Sequence, residues 1–180
     1  MKYLLAFLTI IPLMTAPLSF DFGTSCDNCD DWFVVLDGVM GGLSTGEVEQ
    51  TPESIIFRGK LSLENNGGFA SLRTPYQDYD LSKYKTVTVR YRSTGQDFGL
   101  TLNKHRRFWR PQYKTNLPMT GGEWQTMTCN LIDFGIYRLG EKMEGYPDTD
   151  DLSKIIRLGL ISNTKAATAF EIEVDKIVFE

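Results

Sequence analysis

One histidine, His105, and three cysteines are all that this 180-residue chain offers for imidazole or thiol chemistry. A Ser-His-Asp triad or a multi-histidine metal centre would have to be built around His105 alone. No Gly-x-Ser-x-Gly elbow accompanies it, and no acid stands at a spacing that selects it as a partner. Gly38-Val39-Met40-Gly41-Gly42 is dense in glycine, yet no Gly-Lys-Ser/Thr follows and no βαβ pattern surrounds it, so it is not a phosphate loop. A glycosidase would need two facing carboxylates, and Asp37, Glu47, Glu64, Asp97, Glu123 and Asp133 are available, but spacing selects no pair among them. Glu171 and Glu173 read as a solvated strand face. Cys26-Asp27-Asn28-Cys29 has a Cys-x-x-Cys spacing without the strand-to-helix context of a redox motif. In an exported protein the pair reads as a local disulfide, with free or intermolecular thiols as the alternative. Cys129 shares the parity of Met127 and Leu131 and reads as a core thiol. No catalytic residue, metal ligand set or cofactor emerges.

The remaining chemistry is that of binding. Lys104-His105-Arg106-Arg107, with Arg110 and Lys114, interleaves cations with Phe108, Trp109 and Tyr113. Such a stretch can stack on a base or a sugar or hold an acidic partner, and equally reads as a solvated loop or edge strand. Arg107, Trp109 and Tyr113 are its candidate contacts. The overall charge argues against nucleic acid. Without residues 1–20, which carry one lysine, 18 basic residues face 23 acidic ones, a net charge of −5.

The N-terminus sets the compartment. Lys2 precedes the apolar run Leu4 to Met14, followed by Thr15, Ala16, Pro17 and Ser19, which is the layout of a signal peptide over residues 1–20. The run is well short of the roughly 20 residues a membrane span requires, so no stable span is expected. A mitochondrial presequence would be Arg-rich, whereas the first arginine is Arg58; a lipoprotein box would place a cysteine at the end of the apolar run, whereas Cys26 lies beyond it. The chain is therefore expected to be periplasmic or secreted. An acidic segment, 21–31, follows, and residues 32–180 form one domain, a size that sustains a single core.

That domain reads as all-β, because alternation of apolar and polar residues recurs from residue 32 onward while helical spacing does not. Ile55, Phe57, Leu61 and Leu63 share one parity and predict a long strand with Gly59 at a bend. Val87, Val89 and Tyr91 alternate with Thr88, Arg90 and Arg92; Phe98, Leu100 and Leu102 repeat the pattern; Met127, Cys129 and Leu131 form a further set, and Leu158 and Leu160 begin another strand. In the last strand Phe170, Ile172 and Val174 are apolar on even numbers and Ile177 and Phe179 on odd ones, which predicts a β-bulge at Asp175-Lys176. With turns at Asn65 to Gly68, Ser93 to Gly95, Thr120 to Gly122 and Glu144 to Pro147, seven or more strands predict a two-sheet antiparallel sandwich or jelly roll.

Three segments resemble the complex I intermediate-associated protein 30 family: Asp37-Gly38-Val39-Met40-Gly41-Gly42-Leu43-Ser44; Phe57-Arg58-Gly59 leading to Asn66-Gly67-Gly68-Phe69-Ala70-Ser71-Leu72-Arg73; and Gly122-Glu123-Trp124 with Ile156 to Ile161 and the closing strand. The resemblance implies a galactose-binding-like jelly roll, the architecture of many carbohydrate-binding modules, and a non-enzymatic assembly role like that of the mitochondrial members in complex I. The export segment, Cys26 and Cys29, and Thr128-Cys129-Asn130 depart from those members. The leading expectation is a binding or assembly module acting on a protein partner. The alternative is a carbohydrate-binding module, with Trp32, Trp109, Tyr113 and Tyr137 as its stacking platform; a glycosidase comes third. A structural calcium near the domain termini, common in jelly-roll sugar binders, is a further expectation.

In the two glycine-rich segments, positive φ angles allow tight loops that lie side by side. Asp37, Ser44, Asn66, Phe69 and Arg73 are their candidate ligand or partner contacts. Arg73 reads either as a buried ion-pair partner, for Asp37, or as a ligand contact.

Overall fold

A computed structural model describes residues 16–23 and 31–180. Residues 1–15 of the expected leader, and Cys26 and Cys29 with their expected disulfide, lie outside the described residues.

The described chain is built from strands β1 (Leu18–Asp21), β2 (Phe33–Leu36), β3 (Thr45–Gln50), β4 (Ile55–Lys60), β5 (Ala70–Arg73), β6 (Thr86–Thr94), β7 (Phe98–Asn103), β8 (Gln112–Leu117), β9 (Gln125–Asn130), β10 (Gly135–Arg138), β11 (Glu141–Met143), β12 (Arg157–Ser162) and β13 (Ala169–Phe179). The one α-helix among the described residues, α1 (Thr149–Leu152), has four residues and a capping box in which the Asp151 amide donates to Asp148 Oδ1 at 2.7 Å and the Asp148 amide to Asp151 Oδ2 at 3.2 Å. No described helix is long and apolar enough to cross a membrane.

Every strand pairing is antiparallel. A six-stranded sheet runs β3-β4-β13-β6-β9 with β1 also against β13, and a seven-stranded sheet runs β11-β10-β8-β7-β12-β5-β2. Alternation works as the sequence requires: Val87, Val89 and Tyr91 of β6 are buried, as are Phe98, Leu100 and Leu102 of β7 and Leu158 and Leu160 of β12. Phe57 and Phe170 from one sheet meet Phe98 from the other edge-to-face, with centroids 5.1 to 6.4 Å apart. Each such ring contributes about 1.5–3 kcal/mol by leaving water. The result is the expected two-sheet sandwich.

The bulge falls where the parity slip puts it. Pairing of β13 with β6 shifts register between Val174 and Lys176, and both Val174 and Ile177 are fully buried. The bulge is also a change of partner: β4 pairs with residues 169–174 of β13 and β1 with residues 176–179, while Phe22 N donates to Asp175 O at 2.9 Å. Phe20 of β1 and Phe22 then clasp Trp32, each with centroids 5.7 Å from it, and all three are buried. The boundary expected at residue 20 thus falls inside a paired strand.

Three expectations need correction. The strand predicted to reach Leu63 ends at Lys60, and Leu63 is exposed. At Gly59 the strand has no room for a side chain, since a Cβ there would lie 2.1 Å from the Thr45 carbonyl oxygen of β3. Glu173 is buried, not solvated: it accepts from Ser54 Oγ at 2.6 Å and pairs with Arg92 at 2.6 Å. Cys129 is only half-buried, at the margin of the core.

Deleting Asp175 removes the bulge and turns either the Phe170–Val174 set or the Ile177–Phe179 set away from the core. We expect loss of about 4 kcal/mol or more of stability, read by chemical denaturation; an unchanged midpoint contradicts this account of the strand.

Candidate functional site

The two glycine-rich loops do lie side by side, and Asp37 is what joins them. Its buried carboxylate accepts four hydrogen bonds: Ser44 Oγ at 2.6 Å, Ser44 N at 3.1 Å, Gly68 N at 2.6 Å and Phe69 N at 3.3 Å. Asn65 Nδ2 adds a bond to Gly41 O at 3.1 Å. The glycines make room for this arrangement. A Cβ on Gly42 would sit 2.3 Å from Asp37 Cγ, and one on Gly67 would sit 2.8 Å from Asp37 Oδ2. Burial pushes the Asp37 carboxyl up, but the bonds from the Ser44 hydroxyl and the Gly68, Ser44 and Phe69 amides outweigh it and hold the group below the usual carboxylate range. Asp37 and Ser44 are therefore occupied with the fold. Asn66 is exposed, at φ 59°, and Phe69 is half-buried. Beside the polar Glu64, Asn65 and Asn66, the loops expose four apolar side chains, Val39 (78% exposed), Met40, Leu43 and Leu63.

Arg73 does not pair with Asp37, contrary to the structural half of its expectation. It stands at the other end of β5, where Nε donates to Ser71 Oγ at 2.8 Å, and its charged neighbour is Arg157. Burial, and then the Arg157 charge, lower its guanidinium below the usual arginine value. Among the described residues neither arginine has a carboxylate within ion-pair distance, and Arg157 Nε is buried without a hydrogen-bond partner.

Both arginines belong to the outer face of the seven-stranded sheet. With Leu72, Leu100, Leu102, Tyr113, Leu158 and Leu160 turned inward, alternation sends their neighbours outward. One row crosses the sheet as Phe33, Arg73, Gly159, Thr101, Lys114, Gly135. The row beside it runs Arg157, Asn103, Gln112, Tyr137, with Asn103 Nδ2 donating to Gln112 Oε1 at 3.0 Å. Glycine lets the long cations lie down: a Cβ on Gly159 would be 3.3 Å from Arg73 Cγ, and one on Gly99 2.7 Å from Lys114 Cδ. Arg157 lies 3.4 Å from the centre of the Tyr76 ring, Arg106 lies 4.5 Å from it, and Lys114 lies 4.0 Å from the Tyr137 ring.

The basic aromatic stretch runs through the loop between β7 and β8 into β8 and continues this face. Arg106 joins it through Tyr76, whose hydroxyl donates to Arg106 O at 3.1 Å. Arg107 sits over Trp109 at 5.6 Å, Phe108 meets Trp109 edge-on at 5.2 Å, and all three are exposed. Tyr113 is buried and bonded to Asp151, which also holds Lys104; burial and that carboxylate push the phenol up. Burial, then Arg110 and Lys104, push the His105 imidazole down. Of the four aromatics expected to stack on a sugar, Trp32 and Tyr113 are enclosed, Trp109 is exposed and Tyr137 half-buried. Arg157 and Tyr76 escaped the sequence reading. The one signal for Arg157 was its parity, opposite to Leu158 and Leu160.

Among the described residues no three His, Cys, Asp or Glu side chains gather as a metal site. Of the acids considered for glycosidase chemistry, Asp37 is enclosed by its donors and Glu47 pairs with Arg58 at 2.8 Å.

The model of a protein family described as complex I intermediate-associated protein 30 matches residues 20–174. No curated protein matches the chain in sequence. Among solved structures, the family 11 carbohydrate-binding module of a cellulosomal cellulase of Clostridium thermocellum aligns with a TM-score of 0.66 at 12% identity, over 92% of this chain and 95% of that one. The same module type from that organism, in complex with a β-1,3-1,4-mixed-linked tetrasaccharide, aligns at 0.58 and 13%, over 83% and 88%. An agarase aligns at 0.59 and 13%, over 92% of this chain and 25% of its own length. At these identities the likeness is one of fold, and the sandwich is a galactose-binding-like jelly roll.

Asp37→Asn should lower stability by about 2–4 kcal/mol, since an amide cannot accept from every donor and hydrogen bonds to a charged group contribute about 1.5–3 kcal/mol each, not additively. The folded-state pKa is depressed, so the carboxylate's contribution is present above its unfolded value of about 3.9 and is lost as pH falls through the folded one. Denaturation from pH 7 downward should show a smaller acid loss in the variant. Arg73→Leu, by contrast, breaks no ion pair and should move stability by no more than about 1 kcal/mol; a loss of 3–5 kcal/mol would restore the buried-pair reading.

Proposed function

The chain belongs to the complex I intermediate-associated protein 30 family, and we propose that it is a non-enzymatic, assembly-factor-like binding module that acts on a protein partner in an exported compartment. The observation that carries this reading is the rigid pair of loops around Asp37. Four donors fix the carboxylate, and the loops present Val39, Met40, Leu43 and Leu63 to solvent. Apolar side chains exposed together on a preorganised platform suit the apolar core of a protein interface, where little ordering entropy is left to lose. The occupant is a protein with an apolar surface of its own. Export follows from the leader expected at residues 1–20, and removal must fall before Leu18 for β1 to remain.

A second reading rests on a different surface. The outer face of the seven-stranded sheet carries Asn103, Gln112 and Asn116 among cations and tyrosines, a composition suited to sugar hydroxyls. The fold is shared with carbohydrate-binding modules, one of them solved with a tetrasaccharide. This reading makes the chain a carbohydrate-binding module.

The first reading is tested in cells by a photo-crosslinking residue at Met40 and, as control, at Thr88 on the opposite sheet. A discrete product identified by mass spectrometry is expected from Met40 alone. The double variant Val39→Asp/Met40→Asp should abolish it while shifting stability by less than about 0.5 kcal/mol, as exposed substitutions do. A product that persists in the double variant, or forms equally from Thr88, overturns the assignment.

A further inference from the structure

The two sheet faces treat their cations differently. On the outer face of the six-stranded sheet, Arg58 pairs with Glu47 and Glu49, Arg90 with Asp175 and Arg92 with Glu173. On the outer face of the seven-stranded sheet, Arg73, Arg157, Arg106 and Lys114 pair with no carboxylate among the described residues. Cations that are partly withdrawn from water and set beside one another cost stability, and the Tyr76 and Tyr137 rings that Arg157 and Lys114 meet offset part of that cost without neutralising the charge. An anion brought from outside would neutralise it.

We infer that this face seats an acidic carbohydrate, a chain of sugars bearing carboxylates, with Arg73 and Arg157 as the carboxylate clamp. The inference rests on the carbohydrate reading of the face and adds the charge of its ligand. The two guanidiniums stand in neighbouring rows on adjoining strands β5 and β12, and the buried, unpartnered Nε of Arg157 leaves a donor unused. Guanidinium presents paired donors that match the two oxygens of a carboxylate.

Beyond the arginines, the rows continue with groups that bind hydroxyls. Asn103 and Gln112 are joined at 3.0 Å, Asn163 Nδ2 donates to Asn116 Oδ1 at 2.6 Å, and Lys114 holds Asn163. Each amide keeps further donor or acceptor capacity, and neighbouring strands space these groups at about 4.8 Å across the sheet. An acidic peptide is served less well. Strand addition needs an open sheet edge, while β5, β12, β7 and β8 are all interior strands, and the large apolar side chains exposed here, Phe33 at one edge and Phe108 and Trp109 in the β7–β8 loop, lie outside those four strands.

Isothermal titration of the full chain with oligogalacturonate, a neutral cello-oligosaccharide of equal length and polyglutamate tests the inference. Oligogalacturonate should bind at least tenfold more tightly than either of the others, and more weakly as salt is raised. Arg73→Gln and Arg157→Gln should each weaken it at least tenfold, while Arg90→Gln on the opposite face should not, with thermal melts confirming that all three variants fold. Arg73→Lys, which keeps the charge and loses the fork, should fall between wild type and Arg73→Gln. Equal binding of the neutral oligosaccharide would overturn the acidic preference and leave the carbohydrate reading standing. Equal binding of polyglutamate, or no binding of any glycan, would overturn both.

Discussion

A carboxylate removed from water must find its hydrogen bonds inside the protein, and Asp37 finds all of its partners in two loops distant in sequence. That demand fixes much else. Ser44 must follow at the distance that returns its hydroxyl and amide to Asp37. Gly42 and Gly67 must lack side chains because the carboxylate fills the space a Cβ would take. The Gly68 and Phe69 amides must point inward, which sets the direction in which the chain enters β5 and so the register of β5 against β2 and β12. The motif that reads as a ligand loop is a structural joint, and the loops it joins carry the exposed Val39, Met40, Leu43 and Leu63.

The sandwich was legible because alternation in strands is a direct record of which face meets the core. Val87, Val89 and Tyr91 needed no tertiary information to be placed, and the slip between Val174 and Ile177 announced the bulge. The candidate surface on the seven-stranded sheet was less legible for the same reason that strands are easy: parity says which residues share a face of one strand, and nothing about which strands are neighbours. Arg73 sits close in sequence to Asn66 and Phe69 and was grouped with them. In the sheet it lies next to β12, more than 80 residues away, and so beside Arg157. Tyr113 looked like a member of an exposed aromatic cluster because its neighbours in sequence are charged, whereas alternation in β8 turns it into the core.

The two proposed surfaces occupy opposite ends of β2 and β5. Leu36 and Ala70 lead into the loops around Asp37, and Phe33 and Arg73 lie at the other end, beside Arg157. A protein partner on the loops and a charged glycan on the sheet would therefore meet the same two short strands without competing for the same atoms.

Strand β1 bears on how the molecule comes together in time. Its partners in β13 lie more than 150 residues further along the chain, and the pairing begins only past the bulge, where β4 has given up its place. Until β13 has been made, Phe20 and Phe22 have no sheet to dock on and Trp32 lacks the rings that clasp it. Synthesis runs from the N-terminus, so the first strand made in this domain is among the last to be zipped. Residues Leu18 to Asp21 thus have no partner strand until the C-terminal end of the chain has been made, and the clasp around Trp32 closes only when the two ends of the domain meet.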